Sequence, residues 1–152
     1  MKLMNVLRNE CVQAGAACTS KNEVLALIAR LAKQSPLLEG VDEDVLLQAL
    51  TDREELSTTG FGNGIAIPHC RLDSVDEFVV GIVSVPGGVN FDAMDDQPVA
   101  LFVFIVAPSR SSNEHIKILS AISQVLNVAE NVAEMLKAPD ANVLSENFLR
   151  HI

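Results

Sequence analysis

Apolar residues first recur at helical spacing at Val24, Leu27, Ile28 and Leu31, and Ser20-Lys21-Asn22-Glu23 just before them has the form of a capping box. Ser35-Pro36 stops that helix. Asp42 is placed to cap a second helix, with Leu46, Ala49 and Leu50 on one face. Arg53 follows seven residues after Leu46 and three after Leu50, so the pattern sets a charge on the apolar face, where it needs a partner or a purpose. The rhythm then changes. Ile65-Ala66-Ile67 reads as a short strand with His69 at its end, and strand ends in α/β sheets are where chemistry gathers. Phe78 to Val85 reads as a strand ended by Pro86-Gly87-Gly88, and Val99 to Val106 as a central strand covered on both faces. Ser111-Ser112-Asn113-Glu114 opens a helix burying Ile118, Leu119, Ile122, Val125 and Leu126. A further helix is expected near Asn131 to Lys137, before Pro139, and a short one closes the chain.

These elements predict an α/β fold, a single sheet flanked by helices on both faces. The 13 residues from 86 to 98, between the two apolar strands, show no helical pattern. That predicts an antiparallel pair and a mixed sheet. Without a linker, repeat or low-complexity tract, residues 1–152 read as one domain.

Composition narrows the class. A chain that is 49% hydrophobic has ample apolar surface to bury. Its longest apolar run, Val99 to Ala107, is nine residues, whereas a bilayer span needs about 20. Charges at Lys2, Arg8 and Glu10 interrupt the start, so no secretion signal is read and a cytoplasmic location is expected, without membrane insertion. A net charge of −9 argues against nucleic acid, which demands clustered Lys and Arg, and permits, without requiring, the steering of a basic protein partner. Cys11, Cys18 and Cys70 are odd in number and lack paired spacing, as expected of reduced thiols.

Two of the three histidines are placed for chemistry. His69 follows Pro68, and the glycines at 60, 62 and 64 permit tight bends and close approach of another molecule, although for the glycines alone plain turn chemistry is the better reading. This is no phosphate loop, since it lacks the Lys-Ser/Thr ending and opens no helix. By pattern alone His69 is equally an ordinary turn histidine. His115 lies in the first turn of its helix, the end that favours anions, although by pattern alone a plain solvent-exposed position is the better reading. His151, next to the C-terminus, reads as frayed. A metal site or a nucleophile at Cys70 is disfavoured, because residues 69 and 70 point in different directions along an extended segment.

Glu54, then Phe61-Gly62, then Ile65-Ala66-Ile67-Pro68-His69-Cys70 resembles the phosphorylation signature of enzyme IIA of the bacterial sugar phosphotransferase system, in its fructose/mannitol class, which includes nitrogen-regulatory members. The likeness continues through Phe91 to Pro98 and Asn113 to Ile116, and so covers most of the chain from Ser20 onward, more loosely before residue 50. The signature's closing small residue, often glycine, is here Cys70. The resemblance implies a phosphocarrier in which His69 takes a phosphoryl group from the carrier protein HPr and gives it to a cysteine of enzyme IIB. It implies that His115 contacts that group and that Arg53 stands beside it. Such transfer between protein side chains needs neither metal nor cofactor, and a shallow site would let two proteins dock in turn. Sugar uptake and regulation of other proteins by phosphorylation state are both open, and the sugar, which this domain never touches, is unreadable. Asp73, Asp76, Asp95 and Asp96 are candidate rim charges for a basic carrier.

Overall fold

The computed structural model describes residues 2–152. Its elements are β1 (Leu7–Gln13), α1 (Lys21–Lys33), α2 (Glu43–Leu56), β2 (Gly60–Gly62), β3 (Ile65–Ala66), β4 (His69–Leu72), β5 (Val79–Val89), β6 (Val99–Pro108), α3 (Ser112–Leu126), α4 (Ala129–Leu136) and α5 (Ala141–Leu149). The six strands form one sheet in the order β1-β5-β6-β3-β2, with β4 also on β6. The β5–β6 and β2–β3 pairs are antiparallel and the β1–β5, β3–β6 and β4–β6 pairs parallel, so the sheet is mixed, as expected.

The two-residue alternation of strands builds two cores. Phe102, Phe104 and Val106 of β6 pack with Val79 and Val83 of β5 beneath α1 and α2, through Val24, Ile28, Leu46 and Leu50. Leu101, Val103, Ile105 and Ala107 face the other way, onto Ile118 and Ile122 of α3, Met135 of α4 and Phe148 of α5. A strand apolar at every position is therefore required in the middle of such a sandwich.

At three places the local pattern misleads. β1 carries Arg8, Asn9 and Glu10 and, among the described residues, has β5 as its one strand neighbour, so an edge strand escapes detection by apolar pattern. β5 does not stop at Pro86; its register against β6 slips between Ser84 and Val89, absorbing Pro86-Gly87-Gly88 as an irregularity. Ser20 accepts the Glu23 N–H at 3.1 Å as a cap should, but neither Asp42 nor Ser111 makes a side-chain cap bond at its helix. At the glycine-rich stretch, by contrast, the plain turn-chemistry reading fits the structure. A Cβ on Gly60 would lie 2.9 Å from that of Ala93, and Gly62 sits at φ +106°, where other residues are strained.

Candidate functional site

His69 was expected at a strand end, but the chain does not stop there. Ile65 pairs with Leu101 and His69 with Ile105, so residues 65–72 run beside β6 in one unbroken register. Pro68 interrupts it chemically, having no N–H to give; its carbonyl accepts from Ile105 N at 3.0 Å. β2 covers the outer edge as far as Ile67, whose N–H reaches Thr59 O at 3.2 Å. Beyond it, β4 has β6 alone as a strand neighbour among the described residues, and His69 stands where the edge is free of a second strand.

Alternation then sorts the side chains. Ile65 and Ile67 belong to the core beneath α3, and His69 and Arg71 continue that side, meeting His115. Cys70 turns into the opposite core, 4% exposed, where burial pushes its thiol up to about 12. It is thus kept from acting as a thiolate or joining the histidines.

The half-buried His69 ring has its Nδ1 2.8 Å from the Ile67 carbonyl oxygen. A carbonyl only accepts, so Nδ1 carries the proton and Nε2 keeps the free lone pair. Burial holds this imidazole below its ordinary pKa; the Ile67 carbonyl opposes that shift, and the Arg53 and Arg71 guanidiniums reinforce it. His69 is therefore neutral and nucleophilic at neutral pH.

His115 lies edge to face against it, ring centroids 5.2 Å apart, and is 1% exposed. Its Nδ1 accepts from Arg71 Nε at 2.9 Å, while its buried Nε2 has no hydrogen-bond partner among the described residues. Such an orphan typically costs about 1–3 kcal/mol, which a ligand oxygen would recover. Burial, with His69 and Arg71 adding to it, lowers the His115 pKa to about 4, so the ring is neutral.

Arg53 is placed beside the site but is not the inward charge that periodicity indicated. It lies half-buried at the margin of the α2 face, its NH1 donating to Ser57 O at 2.7 Å. The residue that enters the core is Glu54, 6% exposed, because partners await it there: Thr59 N at 3.2 Å, the Thr59 hydroxyl, and Lys21 Nζ at 3.0 Å. Two clefts flank His69. One, of about 530 Å³, runs along Ala49, Asp52, Arg53 and Leu56; the other, of about 360 Å³, along His115, Ile116, Leu119 and Ser123. Arg71 lines both. Sequence reading missed this residue, although its place two positions after His69 was the available signal. Of the rim candidates, Asp95 is engaged in the fold, accepting from Asn63 N and Gln97 N at 3.0 and 3.1 Å, and Asp76 pairs with Arg110 at 2.6 Å.

A neutral nucleophilic imidazole, a second imidazole with an unmet donor, and two guanidiniums suit an anionic group in transit. The family model described as phosphoenolpyruvate-dependent sugar phosphotransferase system, EIIA 2, matches residues 5–150, and the chain belongs to that enzyme IIA family. Members of this family are phosphotransferases. The chain is 37% identical over 125 residues to the nitrogen regulatory protein of Pseudomonas aeruginosa, covering 82% of this chain and 80% of the relative. It is 36% identical over 139 residues to the mannitol-specific phosphotransferase enzyme IIA component of Geobacillus stearothermophilus, covering 89% of each. Among solved structures, nitrogen regulatory protein IIA-Ntr of Neisseria meningitidis superposes with a TM-score of 0.88 at 23% identity, over 97% of this chain and 99% of that one. The mannitol enzyme IIA of Escherichia coli, in complex with phosphorylated mannitol enzyme IIB, matches with a TM-score of 0.78 at 23% identity, over 95% and 99%. These likenesses agree on the fold, and the complex shows a family member engaged with an enzyme IIB. Among the described residues no helix is long and apolar enough to cross a membrane.

Proposed function

We propose that this chain is a phosphocarrier that accepts a phosphoryl group from phospho-HPr on His69 Nε2 and passes it to a cysteine of an enzyme IIB. The observation that carries the reading is the commitment of Nδ1 to the Ile67 carbonyl, which leaves Nε2 as the nucleophile at an open sheet edge. As the new N–P bond forms, that of the donor phosphohistidine breaks and its electron pair stays on the donor's imidazole. The Nδ1 proton remains hydrogen-bonded to Ile67. The transferring group spreads charge over its equatorial oxygens, so positioning and charge stabilisation are the work required. His115 Nε2–H offers one donor and Arg53 a planar fork.

Labelling with phospho-HPr tests this directly. One acid-labile, base-stable phosphoryl group per chain is expected, and none in His69→Ala. Label that persists in that variant, or that survives acid, overturns the assignment.

A second reading, regulation of other proteins by phosphorylation state, is favoured by the nitrogen regulatory proteins among the relatives. Both readings share the His69 chemistry and differ in what consumes the phosphoryl group. Supplying permease-containing membranes and a sugar separates them. Sugar-dependent loss of phosphate from His69 identifies transport. A sugar-indifferent phosphoprotein whose binding to another protein changes with phosphorylation identifies regulation.

A further inference from the structure

Opposed tautomers on adjacent imidazoles require a device that sets each one. His69 is set by its own backbone, through Ile67 O. The helix that carries His115 holds no corresponding carbonyl on its Nδ1; the group found there is the side chain of Arg71, donated from β4 across 44 positions of sequence. A guanidinium has five N–H donors, no acceptor, and no accessible neutral form. With Arg71 Nε 2.9 Å away, Nδ1 of His115 must present its lone pair and the ring proton must sit on Nε2. A second bond holds the fork in place, from Arg71 NH1 to the hydroxyl of Ser112 at 3.1 Å, at the first residue of α3. The ring is also held on its flanks, against His69 at 5.2 Å and Phe78 at 6.2 Å between centroids.

We propose that Arg71 is a positioning residue that acts through His115. By occupying Nδ1 it fixes the proton on Nε2, so that a ring able to donate or accept becomes a donor alone. Resting on the reading of His69 as phosphoacceptor, this deepens it by dividing the labour between the rings. One nitrogen pair ends in a lone pair for phosphorus, the other in an N–H for the phosphoryl oxygens. The same contact covers the lone pair of neutral His115 and leaves that ring no free nucleophilic nitrogen. The sequence neighbour Cys70 takes no part, being turned into the other core.

Long-range ¹H–¹⁵N correlation of the ring nitrogens in ¹⁵N-labelled protein at neutral pH reads the tautomers without any phosphorylation. In the wild type, His115 is expected with Nε2 protonated and Nδ1 bare. In Arg71→Leu the Nδ1–H form should become populated, and onward phosphoryl transfer should slow at least tenfold. Arg71→Lys, whose ammonium can still donate, should restore the Nε2–H form and a measurable part of the rate. Because Arg71 is exposed, the amide spectrum of these variants should keep the wild-type pattern. An unchanged Nε2–H population in Arg71→Leu overturns the proposal. So does a lost tautomer with an unchanged transfer rate. Absence of labelling by phospho-HPr in the wild type would instead count against the phosphocarrier reading, and the tautomer measurement stands apart from that result.

Discussion

Glu54 and His115 are both buried polar side chains, one on each side of the sheet, 6% and 1% exposed. Around Glu54 the partners are complete: both carboxylate oxygens accept from Thr59, and Lys21 supplies the countercharge while also donating to Phe91 O at 3.3 Å. That network ties α1 and α2 to the turn entering β2 and to the loop after β5. Around His115 it is incomplete, one nitrogen engaged and the other empty-handed among the described residues. Buried polarity that is fully satisfied rigidifies a fold. Buried polarity left half satisfied is stability forgone, and it falls where an anion is expected.

If the contrast holds, the two positions should fail in opposite ways. His115→Ala is expected to be phosphorylated by HPr yet to transfer onward about 10²–10³ more slowly, the size typical of one preorganised donor. Glu54→Ala, which strands Lys21, should lose about 3 kcal/mol of stability in denaturant unfolding while its folded fraction still transfers. A slow Glu54 variant beside an unstable His115 variant would invert the comparison. Arg53→Lys sharpens it from the solvent side. Replacing a planar fork by a point charge should slow transfer about tenfold, the size of one charge-assisted bond at roughly 1.5 kcal/mol, with unfolding unchanged.

Acid probes the same pair by titration. His115 has its pKa lowered to about 4 from 6.5, so below about pH 6.5 the unfolded chain takes up a proton that the folded one refuses. Stability from this residue is whole above that pH and is lost as pH falls through about 4. The unfolding free energy of His115→Ala should accordingly decline less steeply in that window, and parallel curves would remove His115 from the account. The smallest effect is expected at the rim. All four aspartates are exposed, but Asp95 and Asp76 are also tied to backbone amides and to Arg110, which leaves Asp73 and Asp96 the freer pair. Changing Asp73 and Asp96 to Asn should flatten the salt dependence of phosphorylation by HPr and leave its end-point alone. An overlaid salt profile would assign docking to apolar neighbours such as Leu56 and Ile116, 83% and 63% exposed.

Period and punctuation along the chain determined the helices, the two central strands and the mixed sheet, because these are written in residues a few positions apart, whereas His69 was singled out by the resemblance of its neighbours to a family signature. The same local signals failed at β1, whose polar residues are tolerated at an edge, and at Pro86-Gly87-Gly88, which the β6 ladder carries past an apparent stop. Helical spacing singled out Arg53 as the inward charge, and only the presence of Lys21 and Thr59 decided that Glu54 entered instead. The pairing of Arg71 with His115 is likewise tertiary. Alternation assigns Arg71 to a side of the sheet, but whether a histidine 44 residues away is waiting there depends on β4 lying beside β6 and on α3 packing over that face. Residue spacing sets the direction of a side chain, and the packing of distant elements sets what it meets.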